Sequence, residues 1–335
     1  MYKQLALITL KDGEQVEAGC VEGPDLEWAE RIEALLGHKG SLRLWQNAEV
    51  VRRELGIEGR FYLLHRRGEP MANIMTVAHK GVGYLGHVWT RPEDRRKGAC
   101  DQLMGIQMEH FRQTEGQALF LGTGFATPPY RIYAAHGFAS IEAESGSMEY
   151  YAGSRREDFI AEYFAAGTAE IEELAWSHWP ASAALFLGDF PGVVRSVSLG
   201  LLGRASTEGK FLPLIRDQLQ RRAQGEAARA LALVQRETGA VLGLASWAWD
   251  PLWPETVLVD LYCHPEWWGW GSELLDGLEL PPAERYLAYV DGLNMCRDKV
   301  LEKGGFVPAE ILRQRVAADR KRRVPVDVRV WQRRG

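Results

Sequence analysis

Cysteine is scarce in this chain of 335 residues. The four present, Cys20, Cys100, Cys263 and Cys296, are scattered and form no Cys-x-x-Cys pair. This pattern excludes a disulfide framework and a paired-cysteine metal site, and it leads us to expect reduced thiols, a cytoplasmic location and no bound metal. Long apolar runs are missing too, and none approaches the ~20 residues that a membrane span needs. The N-terminus, Met1-Tyr2-Lys3-Gln4-Leu5, enters a strand-like stretch with no apolar core of a signal peptide. Positive charge is not in excess: 40 Lys and Arg stand against 45 Asp and Glu, for a net charge of −5. That balance argues against a general affinity for nucleic acid or anionic membrane. No low-complexity linker interrupts the chain, so its domains are expected to pack rather than tumble freely.

What is present is ordinary for globular protein, with 46% hydrophobic and 25% charged residues. The length suits two domains, each able to bury its own core. One short run stands out: Val88-Trp89-Thr90-Arg91-Pro92-Glu93-Asp94-Arg95-Arg96-Lys97-Gly98-Ala99-Cys100. An extended segment ends at Pro92, a basic turn follows, and a helix begins at Gly98. Cys100, Leu103, Met104, Met108 and Phe111 fall on one face of that helix. Such a junction aims backbone N–H groups and a positive dipole end into the turn, which makes it an anion site. Arg95, Arg96 and Lys97 strengthen it for phosphate or pyrophosphate. A solvated basic loop accounts for the spacing equally well until the next segment is read.

Further on comes Pro128-Pro129-Tyr130-Arg131-Ile132-Tyr133-Ala134-Ala135-His136-Gly137-Phe138. Thr127 suits an N-cap, Pro128 the first helical turn and Gly137 a C-cap. Between the two motifs, Ala118 to Gly122 reads as a buried parallel-type strand. Strand, basic glycine turn, helix, strand, then a short helix carrying Tyr-x-x-x-Gly-Phe: this order resembles the GNAT superfamily of N-acetyltransferases. Arg95, Gly98 and Cys100 occupy the family's three turn positions, and Thr90-Arg91-Pro92 stands where Val-x-Pro is expected. Cys100 departs from the usual Gly or Ala, and Ala126 replaces the family's asparagine.

The resemblance implies an α/β fold with a mixed central sheet and acetyl-CoA as cofactor. The amides of residues 96 to 101 would hold its pyrophosphate, with Ala99 among them, and its pantetheine would run along the splayed strand containing Val88 and Thr90. It also implies a backbone N–H near Val88 or Trp89 facing the thioester oxygen, and Tyr133 as proton donor to the departing thiolate. A packing tyrosine is the competing reading of Tyr133, and Tyr130, one turn earlier, is the fallback. A base must relieve an alkylammonium of pKa ~10.4 of its proton. His87, beside Val88, and His79, at the end of the preceding strand, are the candidates; a water relay or a bystander role competes for each. Alternation puts His87 and Trp89 on one sheet face and Val88 and Thr90 on the other. Glu93 and Asp94 read as solvated turn charges.

The motif order recurs in the second half. Val257 to Cys263 reads as a strand, followed by His264-Pro265-Glu266-Trp267-Trp268-Gly269-Trp270-Gly271, a strand Arg285 to Val290, and a short helix ending Gly304-Gly305-Phe306. Gly98 and Gly269, like Phe138 and Phe306, are separated by nearly half the chain. Two tandem copies are therefore expected, 1–153 and 154–335. Hairpins around Arg66 to Pro70 and Arg236 to Gly239 repeat as well. Helices are expected at Glu27 to Leu36, Trp45 to Leu55, Ala169 to Phe186 and Phe211 to Ala223. The second copy lacks the cations, since Glu266-Trp267-Trp268 replaces Arg95-Arg96-Lys97, and Leu301 replaces Tyr133. It reads as degenerate, with its tryptophans packing.

Asp260 stands on that copy's central strand, where an amine is one conceivable partner. The arginine-rich stretch with Arg320-Lys321-Arg322-Arg323 reads as a hairpin turn. The expected activity is acetyl transfer from acetyl-CoA to a primary amine, small-molecule or amino-acid-like, by a monomer or homodimer. Two alternatives remain: a non-catalytic acyl-CoA sensor and an aminoacyl-tRNA-dependent transferase. The acceptor segment, Glu27 to Leu55, mixes both signs of charge and selects no substrate class.

Overall fold

A computed structural model describes residues 1–317 and 324–335. The run Arg320-Lys321-Arg322-Arg323 lies outside the described residues. The chain divides into two compact units, Met1–Phe159 and Ile160–Gly335. Among the described residues, no helix is long and apolar enough to cross a membrane.

The first unit opens with an antiparallel hairpin, β1 (Tyr2–Thr9) and β2 (Gln15–Glu22). Helices α1 (Leu26–Leu35) and α2 (Ser41–Arg52) follow. The Asp25 side chain starts α1 by accepting from the amides of Glu27 and Trp28. Next come β3 (Glu58–Arg66), β4 (Glu69–His79) and β5 (Val82–Thr90), three antiparallel strands. The β3–β4 turn places Arg67 and Gly68 at positive φ, the geometry of a tight hairpin turn.

After a single 3-10 turn at Pro92–Asp94, helix α3 (Ala99–Gln113) crosses to β6 (Ala118–Gly122). Then follow α4 (Pro128–Ala135), β7 (Ala139–Ser140) and β8 (Ser147–Tyr151). The eight strands form one sheet in the order β1-β2-β3-β4-β5-β6-β8-β7. Only the β5–β6 pair is parallel. Leu103, Met104, Met108 and Phe111 of α3 pack on one face against Ile74, Leu85 and Leu119; burial of such side chains is worth about 1.5–3 kcal/mol each. Helix α5 (Arg156–Tyr163) contains the division between the units, beyond the Gly153 division expected from sequence.

The second unit begins with β9 (Ala169–Glu173), where the sequence reading expected the start of a helix. The alternation Ala-Glu-Ile-Glu-Glu fits a strand edge, and β9 pairs antiparallel with a later strand. Helix α6 (His178–Leu187) is buried along its whole length. A small hairpin, β10 (Val194–Ser196) and β11 (Leu201–Leu202), precedes α7 (Phe211–Ala223). The remaining elements are β12 (Ala230–Gln235), β13 (Val241–Trp249), β14 (Thr256–Cys263), α8 (Gly271–Asp276), β15 (Arg285–Asp291), α9 (Met295–Lys303), β16 (Val307–Ala317) and β17 (Pro325–Arg334).

The large sheet of this unit runs β16-β17-β15-β14-β13-β12-β9. Among the described residues, only β14 and β15 are parallel. Read in reverse, this order repeats that of β2 to β7 in the first unit: a hairpin, an antiparallel strand, a parallel crossover through a helix, and an inserted strand beside the last. The two halves are copies of one topology.

Candidate active site

In the first unit, β5 pairs with β6 only at Val82, Gly83 and Tyr84. Beyond Tyr84 the two strands diverge, so the backbone from Leu85 to Thr90 meets no strand on that side. A bulge marks the same stretch. Asn73 opposes Trp89 and Met75 opposes Gly86, which leaves His87 and Val88 together opposite Ile74. His87 takes φ +51° at the bulge, a conformation that histidine adopts more readily than most residues. The bulge shifts the phase of the alternation relative to Leu85 while leaving Val88 and Trp89 on opposite faces, as expected. Val88 packs on the α3 face with Leu85, and Trp89 shares the opposite face with Asn73.

Past the end of β5 lies the basic turn. Arg96 has φ +65° and Gly98 φ +84°, and Gly98 caps α3 without a side chain. A Cβ on Gly98 would approach the Lys11 side chain to 3.3 Å in a backbone region that disfavours side chains. The first amides of α3 have no helical acceptor, and the residues that begin the helix line a cavity of about 280 Å³. Its walls include Thr90, Arg95, Arg96, Gly98, Ala99, Cys100 and, from α4, Ile132. Burial pushes the Cys100 thiol up to about 11, so it stays protonated at neutral pH.

The three cations have different duties. Lys97 Nζ lies 3.0 Å from Asp12 and 3.5 Å from Asp94, and its charge is matched there. Arg95 donates to the Thr90 carbonyl at 3.1 Å and lies 4.6 Å over the Trp89 ring. Arg96 is exposed at the mouth. Asp94 corrects the expectation of a solvated charge: it is 2% exposed. It accepts from Arg66 Nη1 and Nη2 at 3.1 and 2.7 Å, and Arg66 also binds Glu14. These partners come from distant strands, which is why the local sequence did not reveal them.

The Arg66 hydrogen bonds, with the Lys97 charge, hold the Asp94 carboxyl below its usual value. Its stabilising contribution is therefore complete above about pH 4 and is lost as the pH falls lower. Asp94→Ala is expected to cost about 1–3 kcal/mol, read by urea denaturation, and to weaken cofactor binding by loosening the turn.

Of the proton-transfer candidates, Tyr133 lies on α4, 7% exposed, with its ring 6.2 Å from that of Phe138. The helix is fixed beside the turn by His136, which meets Asp101 of α3 at 2.9 Å. Tyr130 is engaged elsewhere, its hydroxyl 2.9 Å from Ser140 Oγ. His79 stands at the β4–β5 hairpin, opposite Val82 and remote from the bulge, near the Gly56 carbonyl at 3.3 Å. His87 is buried at the bulge, with its carbonyl accepting from Asn73 Nδ2 at 2.9 Å. Burial and the charges of Arg43, Lys39 and His38 push its imidazole down to about 3. It is neutral at working pH and a weak base.

The corresponding cleft of the second unit is built differently. β14 and β15 pair only over Thr256, Val257 and Leu258 and then diverge. Residues 193–198 bridge the gap. Asp260 of β14 accepts from the Val197 and Ser198 amides at 2.8 and 2.9 Å and from Ser196 Oγ at 2.8 Å. Asp291 of β15 accepts from the Val193 and Val194 amides at 2.7 and 2.6 Å. Arg297 of α9 donates to the Val194 carbonyl at 2.7 Å.

Asp260 thus serves the protein's own backbone. The pairing of β13 with β14 runs without a bulge, α8 spans six residues, and Leu301 is fully buried. Gly271 has ordinary helical φ, whereas Gly98 does not. Trp267 and Trp268 are buried in the turn, and Trp267 Nε1 donates to the Phe164 carbonyl at 3.1 Å; Trp270 is 38% exposed.

No protein-family model matches the sequence, and no curated protein matches it. Solved structures do. One is an N-acetyltransferase from Staphylococcus aureus Mu50, at 16% identity over 50% of this chain and 99% of that one, with TM-score 0.37. A ribosomal-protein-alanine N-acetyltransferase from Brucella melitensis aligns at 18% identity over 50% and 99% of the two chains, with TM-score 0.35. An acetyltransferase of the GNAT family from Streptococcus pneumoniae aligns at 18% identity over the same shares, with TM-score 0.34. Each spans half of this chain. The repeated strand order, with one parallel pair that splays beyond a short contact, decides the architecture. Both halves have the same α/β fold with a mixed central sheet. The first unit couples that splay to a bulge, a glycine-capped turn and a cavity. The second closes the splay with its own chain. Among the described residues no group of His, Cys, Asp and Glu is arranged to hold a metal.

Proposed function

We propose that the chain is an acetyl-CoA-dependent N-acetyltransferase whose working site lies in the first unit, with a primary amine as acceptor. The observation that carries this reading is the diverging β5–β6 edge, with Thr90 at its end lining a cavity that Arg95, Arg96, Gly98, Ala99 and Cys100 of the turn share with Lys11, Asp94 and Asp101. The residues fit the group. An extended pantetheine matches an unpaired strand edge, and a pyrophosphate matches the N-terminus of α3 with Arg96 at its mouth. Bound there, acetyl-CoA supplies a thioester carbonyl and a thiolate leaving group. Val88 and Thr90 would hold the chain of the cofactor through their backbone. The bulge takes Val88 out of register with β4, where its backbone N–H would be available to a developing oxyanion.

Tyr133 would give its proton to the departing sulfur. His87 would accept a hydrogen bond from the incoming amine rather than remove its proton outright, since its basicity is low. Proton loss from the amine then falls to water.

Titration calorimetry tests the site. One acetyl-CoA is expected to bind per chain. Gly98→Val should abolish binding, because a β-branched residue at that φ deforms the turn at a cost of about 1–2 kcal/mol before any contact with the ligand is lost. Gly269→Ala, at an open position of the second turn, should leave binding unchanged. Retention of binding in Gly98→Val would sink the assignment. The sensor reading is separated by release of free thiol in the presence of amines. The aminoacyl-tRNA-dependent reading loses support from a phosphate turn that such an enzyme does not need.

A further inference from the structure

Among the described residues, strand β1 has no counterpart in the large sheet of the second unit, which ends at β9. The turn that joins β1 to β2, residues 10–14, is docked on the basic turn before α3. The Lys11 amide donates to the Lys97 carbonyl at 3.0 Å, and Gln102 Nε2 of α3 donates to the Thr9 carbonyl at 3.2 Å. Asp12 and Glu14 stand 3.0 and 4.0 Å from Lys97 Nζ. Glu14 also accepts from Arg66 Nη2 at 2.6 Å, and the same guanidinium holds Asp94. Leu10 is buried in the core of the first unit, and Gly13 takes φ +86° to close the turn. The backbone is therefore fixed on both sides of Lys11.

Lys11 lines the cavity together with Arg95, Arg96 and Gly98. Its Cε and Cγ pass 3.3 and 3.5 Å from the place that a Gly98 Cβ would take, so its side chain lies across the glycine that caps α3. Its acidic neighbours in sequence are engaged elsewhere, Asp12 with Lys97 and Glu14 with Arg66. Among the described residues, no carboxylate forms an ion pair with the Lys11 ammonium. The carboxylates of the cavity wall have other partners as well. Asp94 is held by Arg66, and Asp101 lies 2.9 Å from His136 Nε2.

We infer that Lys11 is a phosphate ligand of the cofactor, brought to the site by the β1–β2 hairpin. The inference rests on the acetyl-CoA reading of this cavity. The sequence sets three cations side by side in the turn, and the fold gives one of them a different task. Lys97 answers the carboxylates of Asp12 and Asp94 and so ties the hairpin to the turn. Lys11, far earlier in the chain, faces the cavity with its charge unmatched by any carboxylate. An ammonium on a flexible four-carbon stem meets a phosphate oxygen as a point charge and adjusts to its position. Arg96 stands at the mouth and the first residues of α3 form the floor, so Lys11 adds positive charge on the hairpin side. The second unit has neither an equivalent of β1 in its sheet nor cations in its turn.

Titration calorimetry on the full chain tests this with acetyl-CoA, coenzyme A and 3′-dephospho-coenzyme A, which keeps the pyrophosphate. Lys11→Gln is expected to weaken acetyl-CoA and coenzyme A about tenfold, the scale of one charged hydrogen bond. Its urea midpoint should stay in place, because the side chain is exposed and makes no ion pair. Lys11→Arg, which keeps the charge, should bind within about threefold of the unsubstituted protein. Lys3→Gln, which removes another exposed cation of the same hairpin, should change nothing. An equal loss for coenzyme A and its dephospho form places Lys11 on the pyrophosphate; a loss confined to coenzyme A places it on the 3′-phosphate. Either result supports the inference. Unchanged affinity in Lys11→Gln overturns it, as does an equal loss in Lys11→Arg or in Lys3→Gln. An unsubstituted protein that binds no acetyl-CoA overturns the acetyl-transfer reading and this inference together. Binding that Lys11→Gln leaves intact overturns this inference alone.

Discussion

Tyr133→Phe is expected to lower kcat by about a hundredfold or more, the scale of a general acid removed from a thiolate leaving group. The affinity for acetyl-CoA should be unchanged, because the proposed role of the hydroxyl begins only when the thiolate departs. Stability should fall by no more than about 1–3 kcal/mol, since the phenylalanine ring fills the same space against Phe138 and the α3 core. The measurement is steady-state release of coenzyme A thiol, with calorimetry of acetyl-CoA alongside. Turnover equal to that of the unsubstituted protein would remove Tyr133 from the mechanism and leave it as a packing residue. Tyr130 is a poor substitute, because its hydroxyl is committed to Ser140.

Asp260→Ala should produce the largest loss of stability. The carboxylate is 2% exposed, accepts two backbone amides and a serine hydroxyl, and stands 3.9 Å from the fully buried Arg297. Removing it leaves three donors unpaired and strands a guanidinium whose charged form burial already disfavours. The expected cost is about 3–5 kcal/mol to the second unit. Chemical denaturation should show one transition moved to lower urea while acetyl-CoA binding at low temperature persists. An unaltered transition would mean that the 193–198 segment does not depend on this anchor.

Much of this architecture was legible because its signals are local. The switch from period two to period 3.6 at Gly98, and the Tyr133-to-Phe138 segment, locate a strand–turn–helix and a second helix without any long-range knowledge. Repetition of both motifs then announces two copies of a fold. What was hidden depends on partners distant in sequence or on a broken period. Asp94 is adjacent to Glu93 and looks equally solvated, yet Arg66 from another strand buries it. His87 sits on an extra residue, and a bulge cannot be seen in an alternating pattern that contains it. The β10–β11 hairpin is too short for periodicity to register, and β9 was absorbed into a helical reading of the residues that follow it.

A parallel pair that parts company leaves main-chain donors and acceptors in want of company, and this protein meets that want twice in different ways. In the second unit, residues 193–198 act as a tethered peptide ligand, always at saturating effective concentration and never exchanged. In the first, on the proposed reading, acetyl-CoA would bring the same complement from solution. Heating the protein with increasing acetyl-CoA should therefore move one melting step upward while the other stays in place, because only one half draws part of its cohesion from mass action.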